Sequence, residues 1–525
     1  LSKSYLTTAI DYPNAKPHIG TAFEKIGADV QARFQRFLCN DVFFLMGNDE
    51  NTAKVVKQVK GLDLSHGIVR EDVQNYVNSM ASQFKDVWKS LDISYDDFIQ
   101  TSEHRHMIGV HKFLNAVNKA GYIYKQPYGG WYCEGCEEFK LERNLPDKKC
   151  PNHGDLIWHE EENYFFKLSA FKQRLLDYCN KSSFMIVPSS RLHEIVNFID
   201  KDLEDVSISR TLSSPGWGIP FPWDNNQVVY VWFDALLNYL TGIGFGTDEA
   251  KFKQWWPADI HFVGKDITRF HCILWPAMIM AYNEGAEESI ALPKMVFGHG
   301  FVCTPAGKIG KTTGGINPVD LINKYGSDAY RYYFLSKCAY GSDSEYSVEQ
   351  FHAVYNADLV NNLGNLASRV VNMLQMYSSS EVHRLGEPHD WQVNINGWST
   401  ATLHCDYHKA LEIVWDLLNR ANEYVEHYKP WALNKEGDTA LCSLVLRNLV
   451  GALRLAAVLL KPYLPKAAEK IYNSFTFKTP WREVNIFHVG SLMVDLYYRL
   501  DGVIVNPDVL VEGKYPPLFP RKDKP

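Results

Sequence analysis

The stretch from residue 4 to residue 51 restricts the fold more than any other part of the chain. Ser4 to Ile10 reads as a short apolar strand, and a Pro/Asn loop runs from Asp11 to Pro17. A helical stretch follows from His18 to about Leu38, then a second strand from Val42 to Met46, ahead of Gly47-Asn-Asp-Glu-Asn51. Two strands joined by a crossover helix are parallel, because antiparallel neighbours need only a tight turn. Parallel sheets are covered by helices on both faces and bind ligands beyond the strand C-termini. The fold class is therefore α/β, a Rossmann-like parallel sheet.

That pattern is interrupted by a Gly/Cys-rich island at 127–156 and resumes at Val228 to Leu240 and at His261 to Asp266. From about residue 347 the periodicity becomes helical. We read a first catalytic half at 1–115, an insertion at 116–225 and a second half at 226–295. A signature-loop and stem-contact region follows at 296–346, then an all-α bundle with a returning C-terminal segment at 347–525. Apolar residues at 46% and charged residues at 22% are those of packed domains and exclude disorder or a disulfide scaffold. The net charge of −7 means that any nucleic-acid contact uses a local basic surface. Most cysteines lie singly along the chain, which fits a reducing compartment, either cytoplasm or an organelle matrix. The N-terminus shows no signal-peptide pattern. Leu444 to Leu460, broken by Arg447 and Arg454, reads as a buried amphipathic helix rather than a membrane span. Arg447, Arg454 and Lys461 recur as a stripe, read as a solvated face in preference to a phosphate-facing one.

Three motifs carry chemistry. Cys133-x-x-Cys136, followed by Cys150-x-x-His153, is the spacing of a closed tetrahedral Cys₃His zinc knuckle, with His159 as a spare donor. All four positions are filled by protein, so the metal is expected to be structural. Pro17-His18-Ile19-Gly20-Thr21 opens a helix, and helix N-termini attract anions because their first N–H groups lack partners. His18 can donate to a phosphate there, and Gly20 allows close approach. Lys308 and Lys311, on a Gly-rich loop that runs on to Thr312, can clamp a polyphosphate from the opposite side. Their spacing is not that of a Walker loop.

In combination these motifs resemble a known family. HIGT resembles the HIGH signature, and KIGKT the KMSKS signature, of class I aminoacyl-tRNA synthetases. AIDYPNAKPHIG, the zinc knuckle, ISR (208–210), YVWFDALLNY, VGKDITRFHCILWPAM (263–278), NLASR (365–369) and KPW (429–431) are similar, in order, to landmarks of the methionyl branch in its zinc-knuckle bacterial or organellar type. The resemblance implies ATP-dependent ligation of L-methionine to tRNA-Met for initiation and elongation, through methionyl-adenylate, with release of AMP and pyrophosphate. It implies ATP, Mg²⁺ and structural Zn²⁺. His18, Thr21, Lys308 and Lys311 would be catalytic, with Pro17, Gly20, Lys265, Asp266 and Thr312 also near the nucleotide. A methionine pocket would be formed by Ala9, Ile10, Tyr12, Trp232, Ala235, Leu236, Tyr239, Ile267, His271 and Trp275, with Asp49 on the ammonium group and Arg210 nearby.

In the helical domain, Asn361, Asn365 and Arg369 fall at i, i+4 and i+8, on one face of an α-helix. Such side chains read base edges in unstacked RNA, and Trp431 can stack on a splayed base. The resemblance assigns them to the CAU anticodon, in a monomer with no membrane contact. Thr21, Ile309, Gly310, Thr312 and Asn51 depart from the family pattern and put the detailed ATP contacts in doubt, not the reaction. Another class I adenylating ligase, or an RNA-binding paralogue without activity, would compete with this reading. The ending GKYPPLFPRKDKP is too apolar and stiff for a solvated tail, so about 513–520 is expected to dock.

Overall fold

A computed structural model describes residues 2–60, 69–133, 138–140, 149–150, 154–181, 184–212, 216–304, 307–309, 316–377, 381–382, 389–488 and 503–523. The expected parallel sheet has six strands: β1 (Lys3–Thr8), β2 (Asp41–Asn48), β3 (Asp97–Gln100), β4 (Met185–Val187), β5 (Ile260–Gly264) and β6 (Met295–His299). Their order is β3-β2-β1-β5-β6-β4, and every pairing is parallel. β5 is buried along its whole length and β1 from Ser4 onward, as expected where both faces are covered. Connections diverge in opposite directions between β1 and β5, which opens a crevice at their C-terminal ends. Helix α1 (Ile19–Phe37) follows β1 and packs against β1, β2 and β5.

Two details differ from the sequence reading. β4 lies inside the 116–225 stretch read as an insertion, yet it pairs with β6 as an edge strand of the main sheet. Three residues are too few to show any alternation. Val228 to Leu240 does not continue the parallel sheet: Asp224–Val229 is a strand of a small antiparallel sheet, and helical turns Val231–Leu236 and Asn238–Thr241 follow. A separate four-stranded antiparallel sheet contains the long pair Ile123–Cys133 and Ile157–Phe166.

Past the sheet lie α2 (Pro318–Tyr325), α3 (Ser327–Lys337), α4 (Asn365–Tyr377), α5 (Tyr407–Tyr428), α6 (Thr439–Leu460) and α7 (Pro465–Tyr472). One apolar core runs from α1 into this bundle, with Phe34 and Phe37 edge-on to Trp398. Inside it sits a fully buried ion pair. Asp29 of α1 meets the Arg331 guanidinium of α3 at 2.7 Å and Arg33 at 2.8 Å. Ser94 donates to its second oxygen from backbone and hydroxyl. Arg331 also donates to the carbonyls of Tyr463 and Pro462, at the end of α6. Burial pushes the Asp29 pKa up, but Arg33 and Arg331 outweigh it and bring it down to about 2.

α6 is long and apolar enough to cross a membrane, but it is packed inside the bundle. Its arginines correct the stripe expected from sequence. Arg447 and Arg454 are buried, Arg454 against the Phe477 ring, and Lys461 donates to the carbonyls of Trp481 and Val484. A seven-residue repeat marks one face, and here that face points inward.

The C-terminal segment returns to the bundle. Tyr515 and Phe519 are buried, Tyr515 accepts from Ser474, and Tyr355 donates to the Pro520 carbonyl. Phe519→Ala is expected to lower the unfolding free energy by about 3 kcal/mol. A urea midpoint equal to that of the parent chain would show that the segment lies loosely on the surface.

Candidate active site

Every side chain of the expected pocket comes from a strand C-terminus or from the helices facing it. β1 ends in Thr8, and the chain then supplies Ala9, Ile10 and Tyr12; β2 ends in Asn48 and supplies Asp49. These residues line one cavity with Trp232, Ala235, Leu236, Tyr239, Ile267 and His271. Trp275 is the exception. It is fully buried behind Tyr239, with its indole N–H 3.3 Å from His261 Nε2, so it supports the pocket and does not line it. Asn238 lines the cavity and was not singled out from the sequence.

Two polar groups of the pocket wall, His271 and Tyr239, satisfy each other. Burial pushes the His271 imidazole down to about 4, so the ring is neutral at pH 7. Its Nδ1–H donates to the Ile267 carbonyl at 3.0 Å, which leaves Nε2 to accept from the Tyr239 hydroxyl at 2.7 Å. Tyr12 meets Trp232 edge-on, and Trp232 stacks on Phe270 at 4.0 Å. Such a surface suits a neutral, polarizable side chain, and Asp49 at its rim suits a cationic group.

A buried lattice fixes this wall from behind. Asn51 donates to Asp234 Oδ2 (2.7 Å) and to the Thr101 carbonyl (3.0 Å), while Asp234 Oδ1 meets His106 Nε2 at 2.6 Å. Asp234 lies on Val231–Leu236, the turn that carries Trp232 and Ala235. Asn51, one of the departures from the family pattern, therefore uses its amide to lock the pocket helix. Arg210 is anchored to Ser207 and lies over the Tyr230 ring, in a neighbouring cavity that Asn51 also lines.

At the other end of the crevice, His18 caps α1. Its Nδ1 accepts from the backbone N–H groups of Gly20 (3.1 Å) and Thr21 (3.4 Å). In the neutral ring the proton then resides on Nε2, which becomes a donor beside a helix N-terminus. Space at Gly20 is tight: a Cβ there would stand 3.1 Å from the His18 ring. Pro17 is buried, and Thr21 is half-buried on the first turn. The second signature meets the same turn: a Cβ on Gly20 would lie 3.6 Å from the Ile309 carbonyl, and Ile19 N donates to the Ile316 carbonyl at 3.1 Å. Lys308 is held by pairing of its backbone with Cys303. Lys311 and Thr312 lie outside the described residues, between these two anchor points. Lys265 is engaged by Asp343 at 2.6 Å, and the neighbouring Asp266 is exposed.

Sequence reading missed the charges beneath this turn. Lys25, buried on α1, donates to the Ala9 carbonyl (2.8 Å) and to Glu24, and pairs with Asp11 at 3.1 Å. Glu24 also meets His299 Nε2 at 2.9 Å. Burial pushes the Glu24 carboxyl up, but Lys25 and His299 outweigh it and hold it below the usual carboxylate range. The only hint was an adjacent Glu-Lys pair on a helix that begins with mostly apolar residues.

The remaining expected residues lie apart from the crevice. Asn361 and Asn365 are exposed, Arg369 pairs with Glu426, and its guanidinium lies 5.4 Å from the half-open Trp431 ring. Asn361 belongs to a π-helical stretch, Tyr355–Gly364, so strict α-helical spacing holds only from Asn365 onward. Cys133 and Cys150 are buried together with Leu156, against Trp131. Cys136 and His153 lie outside the described residues.

Comparisons with known proteins identify the family. A family model described as "tRNA synthetases class I (M)" matches residues 4–156 and 154–371. A second, "Anticodon binding domain of methionyl tRNA ligase", matches 388–493. A methionine–tRNA ligase from Clostridium acetobutylicum is 39% identical over 92% of this chain and 75% of its own. One from Clostridium tetani is 38% identical over 99% of this chain and 80% of its own. The crystal structure of Mycobacterium tuberculosis methionyl-tRNA synthetase bound by methionyl-adenylate superposes with a TM-score of 0.88 at 33% identity, covering 99% of this chain and 100% of that one.

His271 yields a pH prediction. Between about pH 6.5 and pH 4 the unfolded chain binds a proton at this imidazole that the folded chain does not. Its contribution to stability is therefore complete above pH 6.5 and is lost as pH falls toward 4. Urea midpoints of His271→Gln, measured from pH 7 to pH 4.5, are expected to decline less steeply than those of the parent chain. Equal slopes would contradict a neutral buried ring.

Proposed function

The chain belongs to the methionyl branch of the class I tRNA synthetases, and from that premise we propose how its residues divide the work. The protein activates methionine with ATP as methionyl-adenylate and transfers the methionyl group to tRNA. The observation that carries the assignment of roles is the meeting of both signature segments at the first turn of α1, across the crevice from the aromatic pocket.

Methionine enters the pocket with its thioether against Tyr12, Trp232 and Tyr239 and its ammonium at Asp49. Its carboxylate, already ionised at neutral pH, attacks the α-phosphorus of ATP and expels pyrophosphate. A ribose hydroxyl at the tRNA 3′ end then takes the acyl group and releases AMP. The first step needs no dedicated base, so catalysis is positioning and charge stabilisation. His18 Nε2–H and Thr21, at the positive end of α1, are assigned to the phosphates, together with Lys308, Lys311 and Thr312 of the second signature. Mg²⁺ bound with the nucleotide would supply further neutralisation. Lys265 and Asp266 border the nucleotide, and Arg210 borders the aminoacyl end.

Zinc belongs to Cys133, Cys136, Cys150 and His153. Two thiols, Cys133 and Cys150, buried in one small cluster beside Trp131 fit a closed structural site, whose contribution is folding energy rather than chemistry. Asn361, Asn365, Arg369 and Trp431 read the CAU anticodon. Docking of the C-terminal segment against the bundle supports a monomer. Scattered cysteines support a reducing compartment, cytoplasm or organelle matrix.

Pyrophosphate exchange run with each of the twenty amino acids tests the assignment directly: methionine alone should support it. Exchange driven by cysteine, or by no amino acid, would overturn it. His18→Asn separates capping from catalysis, because Asn is itself a good N-cap. It should leave the melting temperature nearly unchanged while slowing adenylate formation by about 10²-fold or more. Equal exchange rates in His18→Asn and the parent would remove His18 from the phosphates. Cys133→Ser should lose stoichiometric zinc and destabilise the inserted region, which a metal assay with limited proteolysis reads; unaltered metal content contradicts the ligand set.

A further inference from the structure

Behind the aromatic pocket lies an imidazole that has no part in the function proposed above. His261, on β5, is fully buried and does not line the cavity. Its ring centroid stands 4.3 Å from that of Tyr239, which does line the cavity. Whatever fixes His261 therefore helps to fix one wall of the pocket.

Two hydrogen bonds fix that ring. Nε2 lies 3.3 Å from the indole nitrogen of Trp275, and Nδ1 lies 2.7 Å from the Thr7 hydroxyl oxygen. An indole N–H can only donate, so Nε2 has to accept. The one proton of the neutral ring then sits on Nδ1 and is donated to Thr7 Oγ1. Burial keeps the ring uncharged, helped by His271 with its centroid 6.2 Å away; together they hold its pKa well below the usual histidine range. Protonation would also set a second N–H against the indole N–H.

Thr7 faces His261 in register across the β1–β5 pair and stands two residues before Ala9, where the β1 side of the pocket begins. On the opposite side Tyr239 is held at both ends. Its hydroxyl donates to His271 at 2.7 Å, and its carbonyl accepts from the Tyr5 hydroxyl at 2.7 Å. The ring between those ends meets His261, with Trp275 further back at 6.0 Å. One imidazole thus connects the strand that leads into the pocket to the aromatic wall that faces it.

We propose that His261 is a positioning residue for methionine: bridging Thr7 and Trp275 in a single tautomer, it sets the spacing between the β1 side of the pocket and the Tyr239 ring, and with it the width that a thioether side chain fills. The inference rests on the methionine-activating function. His261 acts through Tyr239 and touches no substrate, and the nucleotide is assigned to the α1 turn and the second signature. Its influence is therefore confined to the amino acid.

His261→Phe keeps a ring against Tyr239 and removes both hydrogen bonds, whereas Thr7→Val removes one of them at nearly constant volume. In methionine-dependent pyrophosphate exchange, His261→Phe should raise KM for methionine by about tenfold, the scale of one to two lost hydrogen bonds. KM for ATP and kcat should stay at the parent values. Thr7→Val should raise KM for methionine by about threefold in the parent, and should add nothing in the His261→Phe background, where its bond is already absent. A lower urea midpoint with an unaltered KM for methionine would make His261 merely structural and overturn the proposal. So would equal rises in both KM values, or effects of the two substitutions that multiply. Should His261→Phe fail to fold, Thr7→Val decides alone: a rise confined to methionine supports the proposal, and an unaltered KM overturns it. A parent chain without methionine-dependent exchange overturns the underlying function instead.

Discussion

Asp29 is the residue on which the arrangement of the whole molecule depends. A carboxylate without solvent is costly, and this one is tolerated because Arg331, Arg33 and Ser94 all turn toward it. Each partner comes from a different place: α3, α1 itself and the turn before β3. Arg331 in turn holds the backbone where α6 ends. An apolar contact at this point would tolerate sliding, whereas these hydrogen bonds accept one register only. Specific geometry, more than net stability, is what such a buried pair contributes.

Through α1 that registry reaches the chemistry. One end of the helix presents His18, Gly20 and Thr21 to the crevice; its middle carries Lys25 and Glu24, which tie Ala9, Asp11 and His299 together. Further along, Tyr340 and Tyr407 donate to the Glu24 and Gly27 carbonyls. Pocket backbone, phosphate-facing turn and helical domain are thus fixed to a single rod. For an enzyme whose catalysis is mostly positioning, an error of an ångström along that rod would be felt at both substrates.

How much of this was legible in the sequence follows from the range of the interactions. The strand–loop–helix–strand start is local, and it was readable because short apolar runs, a Pro/Asn loop and a helix N-terminus leave marks on neighbouring residues. The pocket residues were found through resemblance, since Tyr12, Trp232 and His271 come from distant segments and no spacing connects them. Asp29 and Arg331 are equally distant, and an Asp and an Arg among other charged residues of their helices look like ordinary surface charges. The same blindness made Arg447 and Arg454 look solvated. Trp275 was placed on the pocket wall by the same resemblance, although here the helix turns it behind Tyr239. β4 was missed because three residues in an edge strand carry no pattern at all.

If α1 is held by Asp29 as described, the pair should behave as a unit when both sides are removed. A double-mutant cycle with Asp29→Asn and Arg331→Met, read by urea unfolding at pH 7, measures this directly. Each single change should cost about 3–5 kcal/mol, since it strands a buried charge. The double variant should be no less stable than either single one, giving a coupling energy of several kcal/mol. Additive losses, within about 0.5 kcal/mol, would mean that the two residues act independently and that the helix is positioned by its apolar packing alone.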